Sequence, residues 1–245
     1  ETATETTQSA DGPRDTTAPE APFAAGPTGH RAMSVGGTAG ADSEDTAYPP
    51  LSQLIGQSQA RERLAVAIEA ALKRGVPLRH LLLTGPPGVG KTHLARAIAD
   101  ALGAPLERLP APILASPAHL AQHLTRLCAN AVLFVDELHA LTRGVAESLY
   151  EALDEGTITL PVSEASDRRA VTVRLRPFTL IGATTDEDRL PEALRSRLGG
   201  ERLELYQPAD LARILTDAAG AGGLALEGEA AALLGGGPRG PPPPA

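Results

Sequence analysis

"TGPPGVGKTHLARAIADALG", residues 84–103, sets two prolines and three glycines directly before a lysine, and the chain then turns helix-forming without a break. Gly85-Pro86-Pro87-Gly88-Val89-Gly90-Lys91-Thr92 fits G-x-x-x-x-G-K-[ST] at every position. It also lies between an apolar run, "HLLLT" at 80–84, and a helix closed by Gly103, which is the context the motif requires. Glycines let successive N–H groups turn into one concavity, and the helix behind adds the positive end of its dipole. A nucleoside triphosphate fits that cradle, with Lys91 against the β- and γ-phosphates and Thr92 on Mg²⁺. The bland alternative, a glycine-rich turn with an incidental lysine, does not account for both flanks. Residues 85–92, with His93 behind them, are the candidate nucleotide-binding segment.

Working outward, "VLFVDELH" carries four apolar residues into Asp136 and Glu137. Paired acids at a strand's carboxyl end suit a metal ligand (Asp136) and a general base on water (Glu137). The strand "FTLIGATT" at 178–185 finishes in Thr184 and Thr185, hydroxyls able to orient water or touch a γ-phosphate. Arg195 and Arg197 follow in "ALRSRLGG". An arginine given to a neighbouring copy's γ-phosphate would couple hydrolysis to assembly. His139 is either a phosphate sensor or a structural histidine.

Around these motifs, helical and strand signals alternate. Leu64, Ile68 and Leu72 recur every four residues before Gly75. Ser116-Pro117 starts a helix to about residue 127, and another covers about 145–154. Three apolar runs (80–84, 131–136 and 178–185) read as buried strands. The pattern predicts an α/β fold, a parallel sheet with helices on both faces. Residues 157–176 interrupt it: Ile158, Leu160 and Val162, then Val171, Val173 and Leu175, alternate with polar residues about the tip "SEASDRR", a two-stranded hairpin inserted before the third strand. Residues 48–207 thus form the main domain. Two short helices, at about 209–219 and 227–234, suggest a small helical appendage over 208–234.

Residues 1–47 hold two arginines against eight acids and almost no large apolar residue, so they are expected to be disordered, as is the Gly/Pro tail 235–245. Of the formal charge of −8, the first 47 residues carry −6, leaving −2 for the rest. The domain's charge therefore neither favours nor excludes a polyanionic partner. Aromatics are 2% with no Trp, so the core must be aliphatic. A lone cysteine, Cys128, excludes an internal disulfide. No apolar stretch approaches the roughly 18 residues of a membrane span, and no secretion signal is evident. A cytoplasmic protein is expected.

Taken in order, these pieces resemble the AAA+ ATPases, and within them the RuvB family of Holliday junction branch-migration motors. The resemblance rests on residues 54–103, on "VLFVDELHALTRGVAESLYEALDEG", on "RPFTLIGATT" and on "LRSRLGGERLELYQP". It implies a three-layer αβα fold that binds ATP and Mg²⁺, with metal ligands Thr92 and Asp136. The catalytic group it implies is Glu137 as base, Asp136, Lys91, Thr185 as water sensor and Arg197 as arginine finger. Ile55 and Gly56 match the segment packed on adenine, and Tyr206 a tyrosine near the nucleotide. In that family the hairpin docks the junction-binding partner RuvA, and hexameric rings pump Holliday junction DNA in recombination and repair. Three departures stand out. "DTAYPP" replaces the basic segment before "LIGQ", and "Arg239-Gly240-Pro241-Pro242" stands where the lid arginine motif belongs. No stretch matches the family's winged-helix DNA-binding domain, as expected of a fragment or frameshifted product. The rivals are a nucleotide-binding module without turnover and a clamp-loader-like AAA+ protein.

Overall fold

A computed structural model of the chain describes residues 49–164 and 167–223, with backbone alone at 161–164 and 167–169. Glycines set its first boundaries. Helix α1 (Ser58–Arg74) ends where Gly75 turns left-handed at φ 64° and its N–H returns to the Ala71 and Leu72 carbonyls, a turn that a β-carbon would strain. The strand β1 (Leu81–Thr84) is buried throughout. Helix α2 (Lys91–Leu102) follows the glycine-rich loop and closes on Gly103 at φ 63° in the same manner. After strand β2 (Leu106–Pro110), helix α3 (Pro117–Arg126) starts on Ser116, whose hydroxyl accepts from the His119 N–H at 3.3 Å.

Next come strand β3 (Ala131–Asp136) and helix α4 (Arg143–Asp154). The antiparallel pair β4 (Thr157–Glu164) and β5 (Asp167–Arg174) is the expected hairpin, in the register Ile158↔Val173 and Leu160↔Val171. Strand β6 (Phe178–Thr184), short helix α5 (Glu192–Arg195), strand β7 (Gly199–Arg202) and helix α6 (Pro208–Ala221) complete the described chain.

The main sheet is parallel and five-stranded, in the order β2-β3-β6-β1-β7. Alternate side chains of the central strands enter opposite layers. Leu81, Leu83, Val132, Phe134, Ile181 and Ala183 pack with α1 and α2. Leu82, Leu133, Val135 and Leu180 pack with α3 and α4. Both faces are therefore covered, and the αβα expectation holds. Ile158, fully buried, roots the hairpin in the second layer.

Two expectations need revision. The sheet has five strands rather than three, because β2 and β7 were not foreseen. Leu72 is 54% exposed while Ala71 is 3% exposed. Each step of four residues drifts about 40° at 3.6 residues per turn, so by the second step the stripe has passed to position 71. Helix α6 is present at 208–221, whereas the second lid helix, Arg239 and both tails lie outside the described residues. Among the described residues, no helix is long and apolar enough to cross a membrane.

Candidate functional site

The phosphate loop is shaped by three left-handed or extended glycines, with φ of 146° at Gly85, 80° at Gly88 and 87° at Gly90. Two positions tolerate nothing larger. A β-carbon on Gly85 would sit 2.4 Å from the Leu203 carbonyl oxygen, and one on Gly90 2.6 Å from the Tyr206 hydroxyl. Val89 is buried in the core, so it anchors the loop and offers a ligand only its backbone. Lys91 opens α2, and its Nζ donates to the carbonyls of Gly85 and Pro86, both at 2.8 Å. Burial pushes the Lys91 pKa down, and the Asp136 carboxylate opposes that shift. The cation thus lies inside the loop with an acid facing it.

Parallel pairing brings the remaining groups to the same sheet end. Thr84 pairs with Thr184, and Val135 with Gly182. Thr185 and Asp136 therefore emerge beside the loop at the carboxyl ends of their strands, where open α/β sheets bind ligands. The Asp136 carboxylate accepts from the Glu137 N–H at 2.9 Å. Glu137 itself is exposed and left-handed, φ 51° and ψ 46°, a conformation that non-glycine residues keep mostly where the fold forces it.

What forces it is the turn Leu138–Ala140 behind it. Leu138 lies so close over β6 that a β-carbon on Gly182 would come within 2.5 Å of its Cδ2. The Thr184 hydroxyl donates to the Asp186 carbonyl and accepts from the Asp186 N–H, both at 3.0 Å, and meets His139 Nδ1 at 2.9 Å. Its single proton goes to Asp186, so His139 Nδ1 is the donor of that pair. Thr184, considered above for water or phosphate, is occupied within the fold, and Thr185 alone is exposed there.

The segments expected to meet the nucleoside lie next to the loop. Gln57 donates to the Glu204 carbonyl at 2.6 Å and accepts from the Glu204 N–H at 3.1 Å, tying the segment of Ile55 and Gly56 to the segment of Tyr206. The Tyr206 ring is close enough that a β-carbon on Gly56 would come within 2.8 Å. Burial, and then the Asp210 carboxylate, raise the Tyr206 pKa. Ile55, Gly56, His93, Tyr206 and Asp210 line an open cavity of about 990 Å³. Asp210 was not foreseen: no spacing ties a helix residue to a glycine over 150 positions earlier.

These residues fit Mg²⁺-ATP. The loop is a cradle that β-carbons would fill, its lysine is buried against an acid, and Thr92 and Asp136 are hard oxygen donors of the kind Mg²⁺ takes alongside phosphates. One expected member stands elsewhere. Gly199 pairs with Leu81, the first residue of β1, whereas the loop follows Thr84, its last. Arg197, two residues before Gly199, therefore lies at the sheet's far end from its own phosphate loop.

Residues 49–203 match the family described as the Holliday junction DNA helicase RuvB P-loop domain. Among solved structures, a point variant of Thermotoga maritima RuvB is 37% identical at a TM-score of 0.70, covering 77% of this chain and 60% of that one. The Thermotoga maritima RuvB Holliday junction branch-migration motor is 38% identical at a TM-score of 0.66, over 77% of this chain and 59% of that one. The chain thus spans about three fifths of the RuvB structures it matches.

Proposed function

Because the chain belongs to the RuvB P-loop family, we propose that it is the ATP-hydrolysing motor module of a Holliday junction branch-migration helicase, serving recombination and repair in the cytoplasm. The observation that carries this reading is a buried lysine at the head of α2, folded into a glycine cradle and facing Asp136 at the end of β3. Bound Mg²⁺-ATP supplies the phosphoanhydride to be cleaved and the metal charge that shields it.

The chain's own residues do the rest. Lys91 neutralises charge on the β- and γ-phosphates, and Thr92 and Asp136 hold the metal. Glu137 takes the proton of the attacking water, and Thr185 orients that water. Ile55, Gly56 and Tyr206 embrace the base, with Pro86, Pro87, Gly88, Val89, Gly90 and His93 completing the binding segment. Arg197 serves the γ-phosphate of an adjoining copy in a hexameric ring, since its own loop is at the other end of the sheet. Residues 157–176 receive a RuvA-like partner: Ile158 fixes the hairpin's root, and Val171 presents an apolar side chain 48% exposed.

Hydrolysis by the purified chain with Mg²⁺, alone and mixed with a full-length relative, tests the reading. Glu137→Gln should retain ATP binding and lose about 10²–10⁴-fold in rate, the usual contribution of a general base. An unchanged rate would remove Glu137 from the mechanism. Binding without any turnover in either mixture would favour a nucleotide-holding module.

A further inference from the structure

Arg197 is held by a constellation that its place in the sequence does not suggest. Its Nε donates to both carboxylate oxygens of Asp154, at 2.8 and 2.7 Å, and its Nη2 donates to Oδ2 of the same group. Nη1 donates to the Ala193 carbonyl at 2.5 Å. The guanidinium carbon stands 5.4 Å from the centre of the Tyr150 ring. Tyr150 and Asp154 are four residues apart on α4, and therefore neighbours on one helix face.

A guanidinium has five N–H groups. Asp154 takes the one on Nε and one on Nη2, and Ala193 takes one on Nη1. Two remain, one on each terminal nitrogen. Such a pair can grip a phosphate end-on through two parallel bonds. The simplest alternative is a surface ion pair that stabilises the fold. Both side chains are partly in solvent, 32% exposed for Arg197 and 45% for Asp154, and pairs so exposed contribute little to stability. Orientation is the larger effect. A carboxylate, a carbonyl and a ring restrain three sides of one cation, and among the described residues the fourth side has no bonded partner.

We propose that Asp154 is the positioning residue of Arg197, fixing the guanidinium so that its free edge meets a phosphate held by an adjoining copy. The proposal rests on Arg197 acting between copies, and its test separates the two ideas. One copy, Glu137→Gln, lends its arginine but cannot cleave. The other, Arg197→Ala, can cleave but lacks the arginine. Mixed at concentrations where copies assemble, the two should recover ATP hydrolysis. Adding Asp154→Asn to the lending copy should cut that recovery about tenfold or more, since small losses of alignment cost rate steeply. Adding it to the receiving copy should change nothing.

That asymmetry cannot come from a merely structural role, and Mg²⁺-ATP binding by each copy should stay as it was. Should Asp154→Asn not fold, Asp154→Ser serves in its place. Equal effects in both copies, or none in the lending copy, overturn the proposal. Absence of recovery with Asp154 intact sinks the between-copies reading and the proposal with it. Phenylglyoxal labelling read by mass spectrometry gives an answer without turnover. Arg197 should react several-fold faster in Asp154→Asn than in the parent chain, and equal rates would also overturn the proposal.

Discussion

Glu137 offers a prediction in which stability and activity move in opposite directions. At φ 51° and ψ 46° the residue is left-handed, which costs an L-residue about 1–2 kcal/mol and glycine almost nothing. Glycine's extra freedom in the unfolded chain offsets about 0.5–1 kcal/mol of that. Glu137→Gly should therefore stabilise the domain by about 0.75 kcal/mol at the midpoint and up to about 1.5 kcal/mol, or up to about 6 °C in melting temperature for a domain of this size. Glu137→Gln keeps the β-carbon and the strain, so it isolates the loss of the carboxylate. Thermal melts of the parent and both variants, without nucleotide, supply the comparison, and ATPase assays supply the other axis. Both variants should lose hydrolysis, but only the glycine variant should melt higher. A glycine variant melting at or below the glutamine variant would show that the fold does not force Glu137 into this conformation.

Gly182→Ala drives a β-carbon to 2.5 Å from Leu138 Cδ2, so it should cost about 1–3 kcal/mol in urea titrations and slow hydrolysis by shifting the turn behind Glu137. Ile158→Ala, at the fully buried root of the hairpin, should cost about 2–5 kcal/mol. Val171→Ser, on the exposed face, should leave stability within about 0.5 kcal/mol while weakening capture of a RuvA-like partner. Burial lowers the His80 pKa, the Asp154 charge opposing it, and His80 Nδ1 accepts from the Leu180 N–H at 3.0 Å. As pH falls through the unfolded value of about 6.5, the unfolded chain takes up a proton that the folded one resists, so stability should drop below that pH and be level above it. His80→Gln, which keeps an acceptor for Leu180, should flatten that drop in denaturation series from pH 7.5 to 5.5.

The sequence is most legible where one residue type has one conformational reason. Gly75 and Gly103 end their helices because only glycine enters the left-handed cap freely, and Ser116-Pro117 can begin a helix but hardly continue one. The hairpin shows itself by alternation, and the phosphate loop by spacing and flanks together. What stayed hidden depends on partners distant in sequence. β7 is "GGER", with no apolar residue, and it is a strand only because β1 lies beside it. β2 is an edge strand of mixed burial ending in proline, so neither alternation nor an apolar run marks it. The left-handed backbone of Glu137 comes from Leu138 seated over Gly182 and from Thr184 bound to His139, 45 residues away. Asp154 lies 43 residues before Arg197, and no spacing rule joins them.

The central claim is that the loop around Lys91 holds the charged end of a nucleotide. Equilibrium titration of Mg²⁺-ATP into the folded chain and into Lys91→Ala tests it most directly. Saturable binding by the parent chain is predicted, weakened about 10–100-fold in the variant, the worth of about 1.5–3 kcal/mol for charge-assisted bonds. A well-folded parent chain without affinity, or a variant that binds equally well, would contradict it.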